Sequence, residues 1–242
     1  MALSPITFVL VHGAWHGGWC YSRVAHILRR AGHYVFTPTL TGLGERSHLY
    51  DPSIGLSTHI ADIINVMTWE RLSNVVLVGH SYGGMVITGV ADRAAGHIDG
   101  LIYLDAFLPA PNQSLHDLIA MDAATAQINL AHGTTHNGIP PIPAELFNVN
   151  ERDRSWVDSL CTPQPLPTFT EKLLITGQVE QIKRRTYIFA TKNTLGGGFK
   201  AFRDIAAADD RWEVGDLDCG HDVMIDMPHE TATILLQVGG AP

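Results

Sequence analysis

Residues 75–83 read Val75-Val76-Leu77-Val78-Gly79-His80-Ser81-Tyr82-Gly83. A short apolar, mostly β-branched run enters Gly-x-Ser-x-Gly, and the segment Met85–Arg93 behind it has helical character. A strand that turns sharply into a helix lifts the central serine clear of the sheet. Small residues two before and two after it let the backbones crowd together there. The pattern makes Ser81 a candidate nucleophile. The helix behind it would aim its free N–H groups and positive end at the point where negative charge develops.

Outward from this turn, strands and helices alternate. Ile6–Val11 reads as a buried strand, followed by the glycine-rich loop His12-Gly13-Ala14-Trp15-His16-Gly17-Gly18-Trp19. Tyr21–Ala31 carries apolar residues at helical spacing and stops at Gly32. Tyr34–Pro38 reads as a second strand, and Ser57–Arg71 as an amphipathic helix with Ile60, Ile63, Ile64 and Met67 on one face. Gly100–Phe107 reads as the strand after the Ser81 helix and contains Asp105. After Leu108 the alternation breaks. Two helices are expected over Gln113–Ala131 and Glu151–Cys161, separated by Gly133–Pro143, with Pro163, Pro165 and Pro167 leading out. The alternation then resumes with strand Thr186–Ala190, helix Phe199–Ala207, strand Trp212–Leu217, the loop Asp218-Cys219-Gly220-His221 and a helix from Pro228. The expected class is therefore α/β, with a mostly parallel six-stranded sheet flanked by helices. Residues 1–108 and 171–242 would form the core, and 109–170 an inserted helical cap.

The bulk properties fit such a domain. A chain of 242 residues can bury one large core, and 45% hydrophobic with 17% charged residues is ordinary for a globular enzyme. A net charge of −8 with no basic block argues against nucleic acid. Lys183-Arg184-Arg185 is too short to form one and is expected to begin a strand. No apolar stretch approaches the roughly 20 residues that span a bilayer. Met1-Ala2-Leu3-Ser4-Pro5 lacks the charged start of a signal peptide. Cys20, Cys161 and Cys219, odd in number and widely spaced, suit free thiols in the cytoplasm better than disulfides. The 13 histidines include no His-Glu-x-x-His, and no Cys-x-x-Cys accompanies them. Neither metal nor cofactor is expected. The expected partners are a small-molecule ester and, at most, a second copy of the chain as a homodimer.

Acyl transfer by serine needs a base, an acid to orient that base, and N–H donors for the oxyanion. His221 follows the last strand and would reach the same sheet edge as Ser81, which makes it the candidate base. The backbone N–H groups of Tyr82 and Ala14 would form the oxyanion hole; losing one such donor typically costs about 3 kcal/mol of transition-state stabilisation. The acid is less conventional. The loop after the penultimate strand, Ala190-Thr191-Lys192-Asn193-Thr194, has no carboxylate. Asn193 could orient His221 but could not balance an imidazolium. Asp105, after the neighbouring strand, is the preferred acid. Asp218 and Asp222 flank the histidine, where the required geometry is hard to reach. His80, inside the turn, is expected to pack or hydrogen-bond there.

The Ser81 turn, the His12–Trp19 loop and Gly220-His221 together resemble the α/β-hydrolase superfamily. Phe8–Trp19 is similar to the branch holding plant methylesterases, hydroxynitrile lyases and bacterial esterases that hydrolyse pyrethroids and carbamates. The likeness spans nearly the whole core and is weakest in the cap. It implies Ser81 as nucleophile, His221 as base, and Ala14 and Tyr82 as oxyanion donors. The family's usual acid falls on Asn193, so the triad departs from the pattern there or moves its acid to Asp105. In the lyases a threonine stands at the position of Gly13 and a lysine follows the histidine. Here Gly13 and Asp222 occupy those positions, and a carboxylate would repel cyanide, so lyase activity is disfavoured.

Trp15, Leu108, Met121, Phe147, Trp156 and Met224 fall in the loops and cap that would roof the site, implying an apolar pocket for a neutral, hydrophobic or aromatic ester. The leading expectation is a serine carboxylesterase working through an acyl-enzyme at Ser81. Carbamate or amide hydrolysis by the same site is the near alternative. A ligand-binding protein on a hydrolase scaffold is the alternative from another class.

Overall fold

The computed structural model describes residues 4–120, 138–196 and 198–240. Six strands form one sheet: β1 Thr7–Val11, β2 Tyr34–Phe36, β3 Val75–His80, β4 Ile98–Leu104, β5 Arg184–Ala190 and β6 Trp212–Leu217. Their order is β2-β1-β3-β4-β5-β6, and every pairing is parallel. β3 is buried along its whole length, as the unbroken apolar run requires of a strand covered on both faces.

The helices that cover the sheet follow from its winding. α1 (Ser22–Arg30) carries the chain from β1 outward to β2. α2 (Leu56–Trp69) and α3 (Gly83–Ala94) carry it the opposite way, to β3 and β4. Right-handed crossovers therefore put α1 on one face and α2 with α3 on the other. The C-terminal helix Pro228–Gly240 packs on α1, and α2 packs on α3. The direction of winding reverses between β1 and β3, and the loops at the carboxyl ends of these strands carry Ala14 and Ser81. This is where open parallel sheets bind ligands.

The expected strands and core helices all occur, with ends shifted by a few residues. Asp105 lies one residue beyond β4, rather than within it. In the 109–170 excursion the described helices are α4 (Leu115–Ala120), α5 (Glu151–Leu160) and α6 (Pro167–Thr170). The rest of the expected Gln113–Ala131 helix, with Met121, lies outside the described residues. The sequence predicts no strand in this stretch, but Ile139 and Gln164 form an isolated antiparallel bridge. It is closed by two backbone hydrogen bonds of 2.8 Å. Among the described residues no helix is long and apolar enough to cross a membrane.

Candidate active site

The turn at Ser81 is tight for steric reasons visible at its glycines. A Cβ on Gly79 would lie 2.7 Å from the Gly83 carbonyl oxygen, and one on Gly83 would lie 2.7 Å from that of Val11. Ser81 itself adopts φ +53°, a left-handed conformation that a serine enters only under constraint. Two bonds to its carbonyl hold it there: the Gly84 N–H at 3.0 Å and the Phe107 N–H at 3.1 Å. Trp15 (φ +64°) and Asp105 (φ +41°) share this rare backbone state, so three constrained residues converge on one sheet edge.

Asp105 and His221 meet at that edge. The Asp105 Oδ2 lies 2.7 Å from His221 Nδ1, and both side chains are buried. The carboxylate also accepts the Ala190 N–H at 3.2 Å on Oδ1 and the Asn193 Nδ2 at 2.6 Å on Oδ2. Asn193 Nδ2 comes within 3.2 Å of His221 Nδ1 as well. Both atoms are donors when Nδ1 is protonated toward Asp105, so this approach is not a hydrogen bond. The orientation of the Asn193 amide is fixed independently, because its Oδ1 accepts the Leu195 N–H at 2.9 Å. Asn193 therefore supports the carboxylate, in contrast to the alternative in which it orients the histidine directly. His221 Nε2 is buried and, among the described residues, has no hydrogen-bond partner.

The His221 loop is fastened to the excursion. The His221 N–H donates to the Phe147 carbonyl at 2.9 Å, and the Phe147 ring stacks on the imidazole at 5.7 Å. Gly220 is needed for this fit, since a Cβ there would lie 2.1 Å from the Asn148 carbonyl oxygen. Phe199 leans on the imidazole at 4.9 Å. His80 donates from Nε2 to the His221 carbonyl at 2.9 Å, as expected of a residue inside the turn. Burial and the neighbouring His221 push its pKa well below the ordinary histidine value, so the ring is neutral.

Ser81, His221, Ala14 and Tyr82 border one cavity. Among the described residues, neither the Ala14 nor the Tyr82 N–H donates to another protein atom. Tyr82 is itself anchored: its hydroxyl donates at 2.9 Å to His59 Nδ1, whose Nε2 donates to the Thr41 carbonyl at 3.0 Å. Burial lowers the His59 pKa to about 4, consistent with this neutral tautomer. The remaining walls are apolar, and among the described residues no Asp, Glu, Lys or Arg lines them. Trp15 and Phe147 border it, together with Phe107, Phe169 and Phe199. Leu115, Ile119, Ile142 and Leu195 complete the lining.

Three expected pocket residues do not border this cavity. Leu108 is half-buried against the core, and Met224 is a buried residue of the one-turn helix Val223–Asp226. Trp156 sits edge-on to Trp19 at 5.1 Å and under the Arg23 guanidinium at 5.0 Å, so it joins α5 to the core. Sequence order places these residues near the site without fixing which way their elements face. Phe169, Phe199 and Phe107 escape a sequence reading for the same reason, although the proline cluster before Phe169 signals a chain forced back over the sheet.

The two carboxylates beside His221 in sequence diverge. Asp218 is exposed and pairs with Lys192 at 2.8 Å. Asp222 is buried and turns to His16, with Nε2 to Oδ2 at 3.1 Å. It therefore does not face the cavity, which corrects its expected role of repelling cyanide. His80, His221 and Asp222 bring ligating atoms within 4.8 Å of one another, the kind of cluster that could hold a metal ion. Each of the three already has a polar atom bound within the protein, to the His221 carbonyl, Asp105 and His16 respectively. One atom of each stays without a hydrogen-bond partner among the described residues: His80 Nδ1, His221 Nε2 and Asp222 Oδ1.

Comparison with known proteins agrees with this architecture. The family described as the alpha/beta hydrolase family matches residues 8–234. The carbendazim hydrolyzing esterase of Nocardioides sp. (strain SG-4G) is 47% identical, over 96% of this chain and 99% of its own. Methyl jasmonate esterase 1 of Vitis vinifera is 26% identical, over 78% and 79% respectively. Among solved structures, an extracellular alpha/beta-hydrolase from a Paenibacillus species superposes with a TM-score of 0.83. It is 23% identical and covers 98% of this chain and 100% of its own, a likeness that speaks to the fold alone.

Proposed function

The chain belongs to the alpha/beta hydrolase family, and from that premise we propose that it is a serine esterase for small, neutral, aromatic esters and carbamates. The observation that carries this reading is the 2.7 Å contact of His221 Nδ1 with buried Asp105, with Nε2 left unpartnered in the cavity that Ser81 borders. His221 takes the Ser81 Oγ proton on Nε2 as Oγ attacks the carbonyl carbon. The oxyanion is met by the Ala14 and Tyr82 N–H groups. The C–O bond to the alcohol then breaks, and the alcohol leaves with the proton from His221. Water, deprotonated by His221, releases the acyl group and restores Ser81.

The apolar walls support a neutral substrate, because a carboxylate or phosphate buried among them would lose its hydration without a counter-charge. The described parts of the 109–170 segment act as the cap over this pocket, supplying Phe147 and Phe169. The 47% identical relative is named for carbendazim, an aromatic methyl carbamate, and that supports extending the substrate class from esters to carbamates. Among the described residues the cavity offers no Lys or Arg for cyanide, which keeps cyanohydrin cleavage disfavoured. Three free thiols suit a reducing cytoplasmic setting.

The test is turnover of p-nitrophenyl acetate, p-nitrophenyl butyrate and carbendazim by the wild type and by Ser81→Ala, together with fluorophosphonate labelling. Turnover and labelling that both vanish in Ser81→Ala are the expected result. A folded wild type that neither turns over nor labels would replace the esterase with a ligand-binding protein.

A further inference from the structure

The imidazole of His16 lies between two acceptors. Its Nδ1 is 2.7 Å from the Ala14 carbonyl oxygen, and its Nε2 is 3.1 Å from Asp222 Oδ2. A carbonyl oxygen has no proton to give, so Nδ1 carries one. With Asp222 ionised, Nε2 carries one too, and the ring is an imidazolium. All of this is buried: His16 is 1% exposed and Asp222 0%.

The two partners sit at functionally distinct places. His16 holds the carbonyl of Ala14, whose own N–H is the oxyanion donor of the proposed reaction. Asp222 follows His221 in the chain. The far side of the same Ala14–Trp15 peptide is also held, because the Trp15 N–H donates at 3.0 Å to Oε1 of fully buried Gln164. A trans peptide fixed at both its C=O and its N–H cannot rotate.

We propose that His16 and Asp222 form a permanently charged buried pair that locks the oxyanion loop to the histidine loop, making both of them positioning residues for the reaction. This rests on the serine-esterase reading above. Because the pair is net neutral, it adds no second uncompensated carboxylate beside His221. The partners of Asp105 among the described residues are the Ala190 N–H, Asn193 and His221 itself, none of them a fixed cation. The developing imidazolium of His221 thus finds its counter-charge in Asp105 alone.

The surroundings favour the charged form of the pair. His16 loses hydration on burial, but the Asp222 charge and hydrogen bond outweigh that loss and raise its pKa above the ordinary value. Burial works against the Asp222 charge also, yet His16 brings its pKa down to about 2. His221 and the carboxyl of Asp226 also act on Asp222 through space, while the other facing groups are neutral: the His12 and His80 rings and the thiols and phenol of Cys20, Cys161 and Tyr21. His80 Nε2, whose proton goes to the His221 carbonyl, lies 3.6 Å from Asp222 Oδ1, and that oxygen has no hydrogen-bond partner among the described residues. Trp19 stacks on the His16 ring at 5.2 Å and shields it.

The charge state is read directly by ¹⁵N–¹H NMR of the His16 side chain in the wild type, assigned by its loss in His16→Gln. The expected spectrum has both ring nitrogens protonated at pH 8. One protonated and one bare nitrogen at that pH would overturn the proposal. The positioning role is read from kinetics on p-nitrophenyl butyrate. Asp222→Asn should lower kcat about tenfold or more, since a displacement of roughly 1 Å near reacting atoms can cost 10²-fold, while KM moves less than about twofold. His16→Gln combined with Asp222→Asn should lose no more than the worse single variant, because the pair acts as one unit. An unchanged kcat in Asp222→Asn, or fully multiplicative losses in the double variant, would overturn the role. If Asp222→Asn does not fold, His16→Gln serves for the same kcat and KM comparison. A wild type with no turnover would instead sink the esterase reading, while the NMR spectrum would still decide the charge.

Discussion

Asp105 and His221 are 116 residues apart in the chain and 2.7 Å apart at the carboxyl edge of the sheet. The carboxylate comes from the end of β4 and reaches past the end of β5, where Asn193 stands and donates to it at 2.6 Å. Asp105 and Asn193 thus occupy a single polar niche behind the imidazole, and the residue with the charge is the one from the earlier strand.

This niche predicts an exchange of roles. Asp105→Asn should lower kcat by about 10⁴-fold, the scale on which a triad loses activity when its carboxylate becomes an amide. Combining it with Asn193→Asp returns a carboxylate within reach of Nδ1 and should recover at least about tenfold over the single variant. The comparison is kcat on p-nitrophenyl butyrate. A double variant no better than the single would mean that only the β4 position presents the acid correctly.

The apolar walls predict a shift in chain-length preference. Phe169 borders the cavity and touches Trp15 at 5.8 Å between ring centroids. Phe169→Ala should raise kcat/KM for p-nitrophenyl hexanoate relative to the acetate by about tenfold, the scale of a methylene or two in an apolar pocket. An unchanged ratio would show that acyl length is read elsewhere.

Buried histidines predict acid lability. Burial depresses the pKa of His12 to about 3 and of His59 to about 4, and that of His80 well below the ordinary value. Each binds its proton at a higher pH in the unfolded chain than in the fold. The unfolded state therefore takes up more protons between about pH 6.5 and 4, and stability falls as the pH drops through that window. Each such proton contributes about 1.4 kcal/mol per pH unit. His16 is shifted the other way and is protonated in both states below pH 6.5, so its contribution is lost only on the alkaline side, as pH rises through its folded value. Urea midpoints measured from pH 7 to 4.5 should fall steeply. A flat profile would contradict the neutral tautomers.

The Gly220 contact predicts a coupled loss. Gly220→Ala forces a Cβ to 2.1 Å from the Asn148 carbonyl, which must move together with Phe147 and its bond to the His221 N–H. The variant should lose about 1–3 kcal/mol of stability, the usual cost of overpacking, and kcat with it. Thermal unfolding and turnover on the same sample check this. A full kcat with a lowered Tm would separate the loop's packing from its alignment of the imidazole.

The elements whose information is local are legible in the amino-acid order alone. The apolar run Val75–Val78 and the small residues around Ser81 define strand, turn and helix within a dozen positions. The alternating strands and helices follow from periodicities of two and 3.6 residues. His221 is legible because it follows a final strand whose end must share the sheet edge of β3.

The remaining features are relations between distant segments. Whether Asp105 or Asn193 meets the imidazole depends on how far β4 and β5 extend beside β6 and on the φ of +41° that turns Asp105 inward. Phe169 and Phe199 reach the cavity, and Trp156 and Met224 do not, because helix rotation is set by packing rather than by sequence order. The His16–Asp222 pair joins residues 206 positions apart, and neither has a local signal for the other. Strand and helix identity is written in short-range spacing. The direction a side chain faces, and the charge it carries there, exist only once distant segments exclude water around it.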